Sequence, residues 1–310
     1  MYPLKFSSII KPKVWGQEAW LLSGYGDEVS VVTNGYLKGN DLNDLLETYM
    51  DELVGGKVYD RYGNYFPLLL KVIDAEDDLS VQVHPNDEQA EAEEQLGKTE
   101  MWYVMDAKKG AQVVSGFSQD TSEEEVRDSL ADATLQELLR RQPVKKGDVI
   151  AIPAGRVHAL CKGTKVAEIQ ESSDLTYRLY DYNRPDKNGQ LRPLHVEKAI
   201  QVLDWKATES PLTSYECEPN ASANLLRDEH FTTNLIRITA TIGRDYAPLD
   251  SMVIYLCVAG EAVIHALDAD AEQQSVSIKE GECVLLPATL NDIRLEPKSA
   301  EASIMETYIE

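Results

Sequence analysis

Short apolar runs of strand type dominate the first two hundred residues. Leu68–Ile73, Leu79–Val83, Trp102–Met105, Ala111–Ser115, Val149–Ile152, Lys165–Gln170 and Thr176–Tyr180 are rich in Val, Ile, Leu and Tyr, and turn residues bound them. They recur at short intervals without the long helices of a βαβ pattern, which predicts an antiparallel sandwich or barrel. Helical periodicity interrupts them three times. Asn43–Leu53 stops at Gly55-Gly56, and Asp87–Leu96 ends at Gly97. Ser122–Arg141 predicts two helices, each opened by a capping box, Ser122-x-x-Glu125 and Thr134-x-x-Glu137. Thr208–Asn224 is polar and contains two prolines, so it reads as a linker or long crossover. A second β-rich block follows: Thr232–Thr241, Met252–Val258, Glu261–Ala266, Ser275–Ile278, Cys283–Pro287 and Asp292–Leu295.

The two blocks share a repeat. Gly147 to His158 reads G-x5-P-x-G-x2-H. Gly281 to Asp292 keeps the spacing from Gly to Pro, but Thr289 replaces the second Gly and Asp292 the His. A Gly turn entering a strand, a Pro and Gly bending its exit and an inward His closely resemble the second half of the cupin motif. The resemblance implies a mainly β chain of two cupin-type (jelly-roll) barrels, with the imidazole only in the first. The expected division is a catalytic domain over 1–207, with helical insertions at about 42–54, 87–96 and 122–141. A linker or crossover over 208–230 and a metal-less cupin-like domain over 231–310 complete it.

The strand Leu79–His84 places Gln82 and His84 two residues apart, on one face. Gly97-Lys98-Thr99-Glu100 leads into the next strand and offers a carboxylate to the same cavity. With His158 this makes a set of two imidazoles, one carboxylate and one amide oxygen. Such a set suits a catalytic Zn²⁺, and with less preference Mn²⁺, Fe²⁺ or Co²⁺. Taken singly, each residue has an ordinary structural role open to it; the combination points to a metal. His195, His230 and His265 carry no such context and read as structural or surface residues.

Longer motifs extend the likeness. Leu79–Asp87 (LSVQVHPND), Gly97–Tyr103 (GKTEMWY), Ile152–Ala159 (IPAGRVHA) and Glu168–Tyr182 (EIQESSDLTYRLYDY) occur in order, after an opening Lys11–Gly16 (KPKVWG). Together they resemble type I mannose-6-phosphate isomerases, in their short bacterial form, from about Lys11 to Leu203. The resemblance implies one zinc ion per chain on His84, Glu100 and His158, with Gln82 as a fourth ligand in some members. It implies a catalytic Arg178, and it places Lys98 and Glu168 on positions lining the active site. The implied reaction is aldose–ketose isomerisation of mannose 6-phosphate and fructose 6-phosphate through an enediol, a step of carbohydrate metabolism. Such chemistry needs a base near C1 and C2, for which Glu168 or a metal-bound hydroxide is a candidate. It also needs stabilisation of negative charge, which Lys98 can supply, and an anion anchor. Arg178 offers a permanently charged fork of donors, and Arg184 is a further candidate for the substrate phosphate. Pairing with Asp174 and Asp181 is the structural alternative for both arginines.

Composition narrows the partners. The 310 residues carry 30 Lys and Arg against 53 Asp and Glu, a net charge of −23. The resulting field repels polyanions, so nucleic acid and anionic membrane are not expected partners; the small-molecule sugar phosphate that the resemblance implies needs a local basic pocket against that field. No apolar run approaches the ~20 residues of a membrane span, and the N-terminus lacks a signal-peptide pattern. A cytoplasmic enzyme, monomeric or weakly homo-oligomeric, is expected. Four scattered cysteines without a C-x-x-C pair read as free thiols. The alternatives are a non-catalytic or regulatory sugar-phosphate-binding cupin, or another metal-dependent cupin enzyme such as an oxygenase. A fused guanylyltransferase is set aside, because no glycine-rich nucleotide loop appears.

Overall fold

The computed structural model describes residues 1–186, 188–267 and 273–310. The chain is mainly β, and it divides into two compact units. One contains Ile10–Ala19 and Lys71–Thr213; the other contains Met1–Ile9, Trp20–Leu70 and Ser214–Glu310. The division differs from the expected boundary near 207, because segment 20–70, with its helix Leu42–Val54, packs with the C-terminal strands. Long-range packing of this kind leaves no local mark in the sequence.

Two sheets carry the motifs. A six-stranded sheet runs in the order Val149–Ile152, Glu100–Ala107, Thr164–Glu171, Leu68–Ala75, Gly16–Leu22 and Ile9–Lys13. A five-stranded sheet runs Leu139–Pro143, Gln112–Phe117, His158–Leu160, Val81–Val83 and Tyr177–Tyr180. Alternation assigns the faces. Ile73, Trp102 and Val166 from the first sheet form one core with Val113 and Leu160 from the second. Val81, Val83, Ala159, Tyr177 and Leu179 point the other way. There they bury against the helices Glu123–Ala131, Leu135–Leu138 and Val196–Val202. Gln82, His158 and Arg178 occupy intervening positions on the strands carrying that outer layer.

Helical expectations hold in part. Ser122 caps Glu123–Ala131 by accepting from the Glu125 N–H at 3.3 Å. The second expected helix is a single turn that follows Ala133 at φ +58°, and Thr134 makes no side-chain cap. From Leu139 the chain is extended and pairs with Gln112–Phe117, so cross-strand hydrogen bonding overrides helical periodicity there. In 87–96, an α turn at Asp87–Ala90, with an Asn86/Gln89 capping box, passes into a 3₁₀ turn and stops at left-handed Glu94.

The second unit also has two larger sheets. The order is Leu4–Lys5, Cys283–Leu286, Val253–Ala259, Ala302–Tyr308, Thr232–Ile238 and Ala221–Arg227 in one. Ile242–Asp245, Asp292–Pro297, Glu261–Leu267 and Gln273–Lys279 form the other. Ala221–Arg227 lies within the stretch expected as a linker, and the strand exists because Thr232–Ile238 offers it a partner. Ile236, Tyr255, Ile264, Ile293 and Ile304 join the two sheets in one core. No sheet closes on itself among the described residues. Among the described residues no helix is long and apolar enough to cross a membrane, and the four cysteines are free thiols.

Candidate metal centre and active site

Strand register assembles the site. His158 and Arg178 both lie opposite Gln82 on neighbouring strands, so the three form a row across the five-stranded sheet. In the six-stranded sheet Glu100 lies opposite Gln170 and Trp102 opposite Glu168. Gly155 at φ +84° makes the turn before His158, and its N–H donates to the His84 carbonyl at 2.9 Å. That bond ties the loops carrying both histidines together.

Glu100 sits between the two imidazoles. His84 Nε2 is 3.5 Å from one carboxylate oxygen and His158 Nε2 is 3.3 Å from the other. Each ring is turned by its far nitrogen: His84 Nδ1 donates to the Leu175 carbonyl and His158 Nδ1 to the Arg156 carbonyl, both at 2.7 Å. A carbonyl can only accept, so the Nε2 lone pairs face inward, the arrangement that orients metal-ligating histidines. Burial, with Lys98 nearby, holds the His84 imidazole down to about 3, and burial lowers His158 as well; both are neutral at physiological pH. Burial alone would raise the Glu100 carboxyl, but its charged surroundings, the Lys98 ammonium first, lower it and keep it ionised.

The residues present fit a divalent cation. Both Glu100 carboxylate oxygens are buried and accept no hydrogen bond, an arrangement that costs free energy unless a cation completes it. His84, Glu100 and His158 offer three ligand atoms within 4.8 Å of one another. The Gln82 amide lies 3.3 Å from His158 Nε2, beside the group. Lys98 Nζ is 3.3 Å from His84 Nε2 and 3.6 Å from Glu100.

A cavity of about 310 Å³ adjoins this cluster, and Gln82, Lys98, Trp102, Glu168 and Arg178 line it. Glu168 accepts from the Trp102 indole N–H at 2.8 Å and pairs with Lys71 Nζ at 3.2 Å. Burial, then the charge of Glu100, raises the Glu168 carboxyl above its ordinary value, while Lys71 opposes the shift. Burial is the largest single influence on Lys71 and lowers it, but the carboxylates of Glu168, Glu18, Asp174 and Glu100 together outweigh it and keep its ammonium charged. Lys71 also donates to Gln170 Oε1.

Two sequence readings change here. Arg184 does not line the cavity: its guanidinium bonds Asp77, the Asp78 carbonyl and Asp181. His195, read as structural or surface, does line it, with Arg192. Sequence reasoning also passed over Lys71, although a lone lysine in the apolar run Leu68–Ile73 was a visible signal. Nothing local distinguished Arg192 from Arg184.

The counterpart of His158 in the second unit, Asp292, is exposed. There the buried acid is Glu306, which accepts from Arg244, Asn234 and Tyr246. That carboxylate is fully bonded by protein and lacks the orphaned oxygens of Glu100.

The family model for the type I phosphomannose isomerase catalytic domain matches residues 7–121. Mannose-6-phosphate isomerase ManA of Bacillus subtilis is 35% identical over 315 residues, covering 95% of this chain and 96% of that protein. The chain belongs to the type I phosphomannose isomerase family. A mannose-6-phosphate isomerase of Streptococcus mutans is also 35% identical, over 93% of both chains. A solved mannose 6-phosphate isomerase structure from Bacillus subtilis superposes with a TM-score of 0.87 at 29% identity, covering both chains fully. As a member of this family, the chain places His84, Glu100 and His158 within reach of one ion.

Proposed function

We propose that the chain interconverts mannose 6-phosphate and fructose 6-phosphate, with zinc held by His84, Glu100, His158 and Gln82. One observation carries the reading: a buried, ionised carboxylate without hydrogen bonds faces two inward Nε2 atoms beside a cavity lined by Glu168, Lys98 and Arg178. When bound, the ion supplies Lewis-acid polarisation of the substrate's carbonyl and hydroxyl oxygens without redox change. The chain's own residues do the rest.

Isomerisation moves one proton between C1 and C2 through an enediol. Glu168 is the base: its raised affinity for a proton suits it to take and return one, and Trp102 and Lys71 hold its carboxylate. The Lys98 ammonium stabilises negative charge developing on the substrate oxygens. Arg178 presents a fork that stays charged throughout, fitted to a phosphate or enediolate. The paired sheets of each unit and the repeat at Gly147 and Gly281 support two cupin-type barrels, with the chemistry in the first.

The test is a coupled assay for fructose 6-phosphate with purified, zinc-loaded protein. His158→Ala should lose both zinc and turnover; a variant keeping both would remove the metal assignment. Arg178→Ala should keep zinc and lose most of its rate. Binding of mannose 6-phosphate by the zinc-loaded protein without product would make it a sugar-phosphate-binding protein instead.

A further inference from the structure

The cavity has a partly exposed side where two basic residues that the reaction above does not use, Arg192 and His195, accompany Arg178. Arg178 is tied there to the segment 193–195 by three bonds. Its Nη1 donates to the Pro193 carbonyl at 2.8 Å, its backbone N–H donates to His195 Nδ1 at 3.1 Å, and the His195 N–H returns to the Arg178 carbonyl at 2.7 Å. Since His195 Nδ1 accepts, a neutral ring carries its proton on Nε2 and remains a donor on a residue lining the cavity.

Arg192 lines the same cavity. Buried Asp181 grips one side of its fork, taking Nε at 2.7 Å and Nη2 at 2.6 Å. Arg192 Nη1 has no hydrogen-bond partner among the described residues. Asp181 also bonds Arg184, so it is shared between two guanidiniums, and among the described residues Arg178 has no carboxylate partner of its own. Arg178 Nε is buried with no acceptor. Burial, and next the charge of Arg192, make the Arg178 guanidinium less favourable as a cation, although Asp181 and Asp174 oppose this. Two guanidiniums and an imidazole line the cavity with an orphaned donor among them, and the carboxylates lining it are Glu18, Glu168 and the exposed Asp174. That arrangement suits a compact anion.

We propose that Arg192 and His195 complete, with Arg178, a clamp for the phosphate group of the substrate, and that Asp181 aims Arg192 into it. The assignment rests on the sugar-phosphate isomerase reading and adds to it the residues that hold the phosphate end. The probes are inorganic phosphate and mannose 6-phosphate, used on the zinc-loaded full chain. Arg192→Ala should raise KM for mannose 6-phosphate about 10- to 100-fold, the scale of losing a charge-assisted bond. Its kcat should stay within about threefold and its zinc content should not change. Competitive inhibition by inorganic phosphate should weaken by a similar factor. Arg192→Lys should recover part of the loss, and His195→Ala should weaken phosphate inhibition by a smaller factor. Unchanged KM and unchanged phosphate inhibition in Arg192→Ala would overturn the clamp. So would a fall in kcat or thermal stability with phosphate inhibition intact, since that is the mark of a merely structural Arg192. Calorimetry with inorganic phosphate separates the two readings. Should wild-type protein bind phosphate without isomerising, the reaction fails, and Arg192→Ala then supports or overturns the clamp by losing or keeping that binding.

Discussion

The Trp102 indole N–H donates to Glu168 at 2.8 Å, and the same ring meets His158 edge-on at 5.5 Å between centroids. One side chain thus touches both the acid proposed as base and a proposed metal ligand. It can do so because Trp102 lies opposite Glu168 in the six-stranded sheet and faces the core between the two sheets.

Trp102→Phe keeps a ring against His158 but removes the donor to Glu168. A hydrogen bond to a charged group is worth about 1.5–3 kcal/mol, so kcat/KM is expected to fall on the order of 10- to 100-fold with zinc content unchanged. Kinetics indistinguishable from wild type would show that the indole does not hold the base.

Metal binding is expected to appear in stability as well as in rate. A cation that binds only the folded chain adds about 4 kcal/mol at a thousand times its Kd. The melting temperature should therefore rise with added zinc and drop back with a chelator. In Glu100→Gln the central ligand loses its charge, and most of that rise should vanish. A full zinc-dependent rise in this variant would place the ion elsewhere.

Gly155→Ala tests the motif glycine. The backbone there is at φ +84°, and an added Cβ would lie 2.9 Å from the Val202 carbonyl oxygen. A left-handed non-glycine residue costs about 1–2 kcal/mol before that contact is counted. Denaturant unfolding should show a loss at least that large. Zinc should also bind more weakly, because this residue joins the His84 loop to the turn before His158. Unchanged unfolding and zinc binding would mean that the turn tolerates a side chain.

A pH-dependent contribution is expected from Glu93, which accepts from Lys198 at 2.6 Å and from the Tyr177 hydroxyl at 2.8 Å. Lys198 first and Tyr177 second hold its carboxyl below the ordinary range. A folded-state value below the unfolded one gives stability that is complete above the unfolded pKa of about 4.3 and fades as pH falls through the folded value. Glu93→Gln should therefore melt lower than wild type at neutral pH, and the difference should shrink in acid. The segment Asn86–Gly97, which leads into Lys98, should also exchange its amide hydrogens faster. A melting difference that does not change with pH would remove the ion pair as its cause.

The alternation of Val81-Gln82-Val83-His84, the turn chemistry of Gly147 to His158 and the ordered motifs were enough to name the strands, the four expected ligands and the family. These are local properties: a period of two places side chains on one face, and a Gly or Pro bends the chain wherever it stands. Tertiary structure decided the rest. Arg184 and Arg192 look alike in sequence. Asp77 and the Asp78 carbonyl draw Arg184 out of the site, while Asp181 grips Arg192 beside the cavity. Lys71 became a site residue because Glu168 lies across the sheet from it, and segment 20–70 joined the C-terminal unit through contacts far apart in the chain. Charge and packing act through space, so which of several similar residues reaches a cavity is settled only when distant strands come into register.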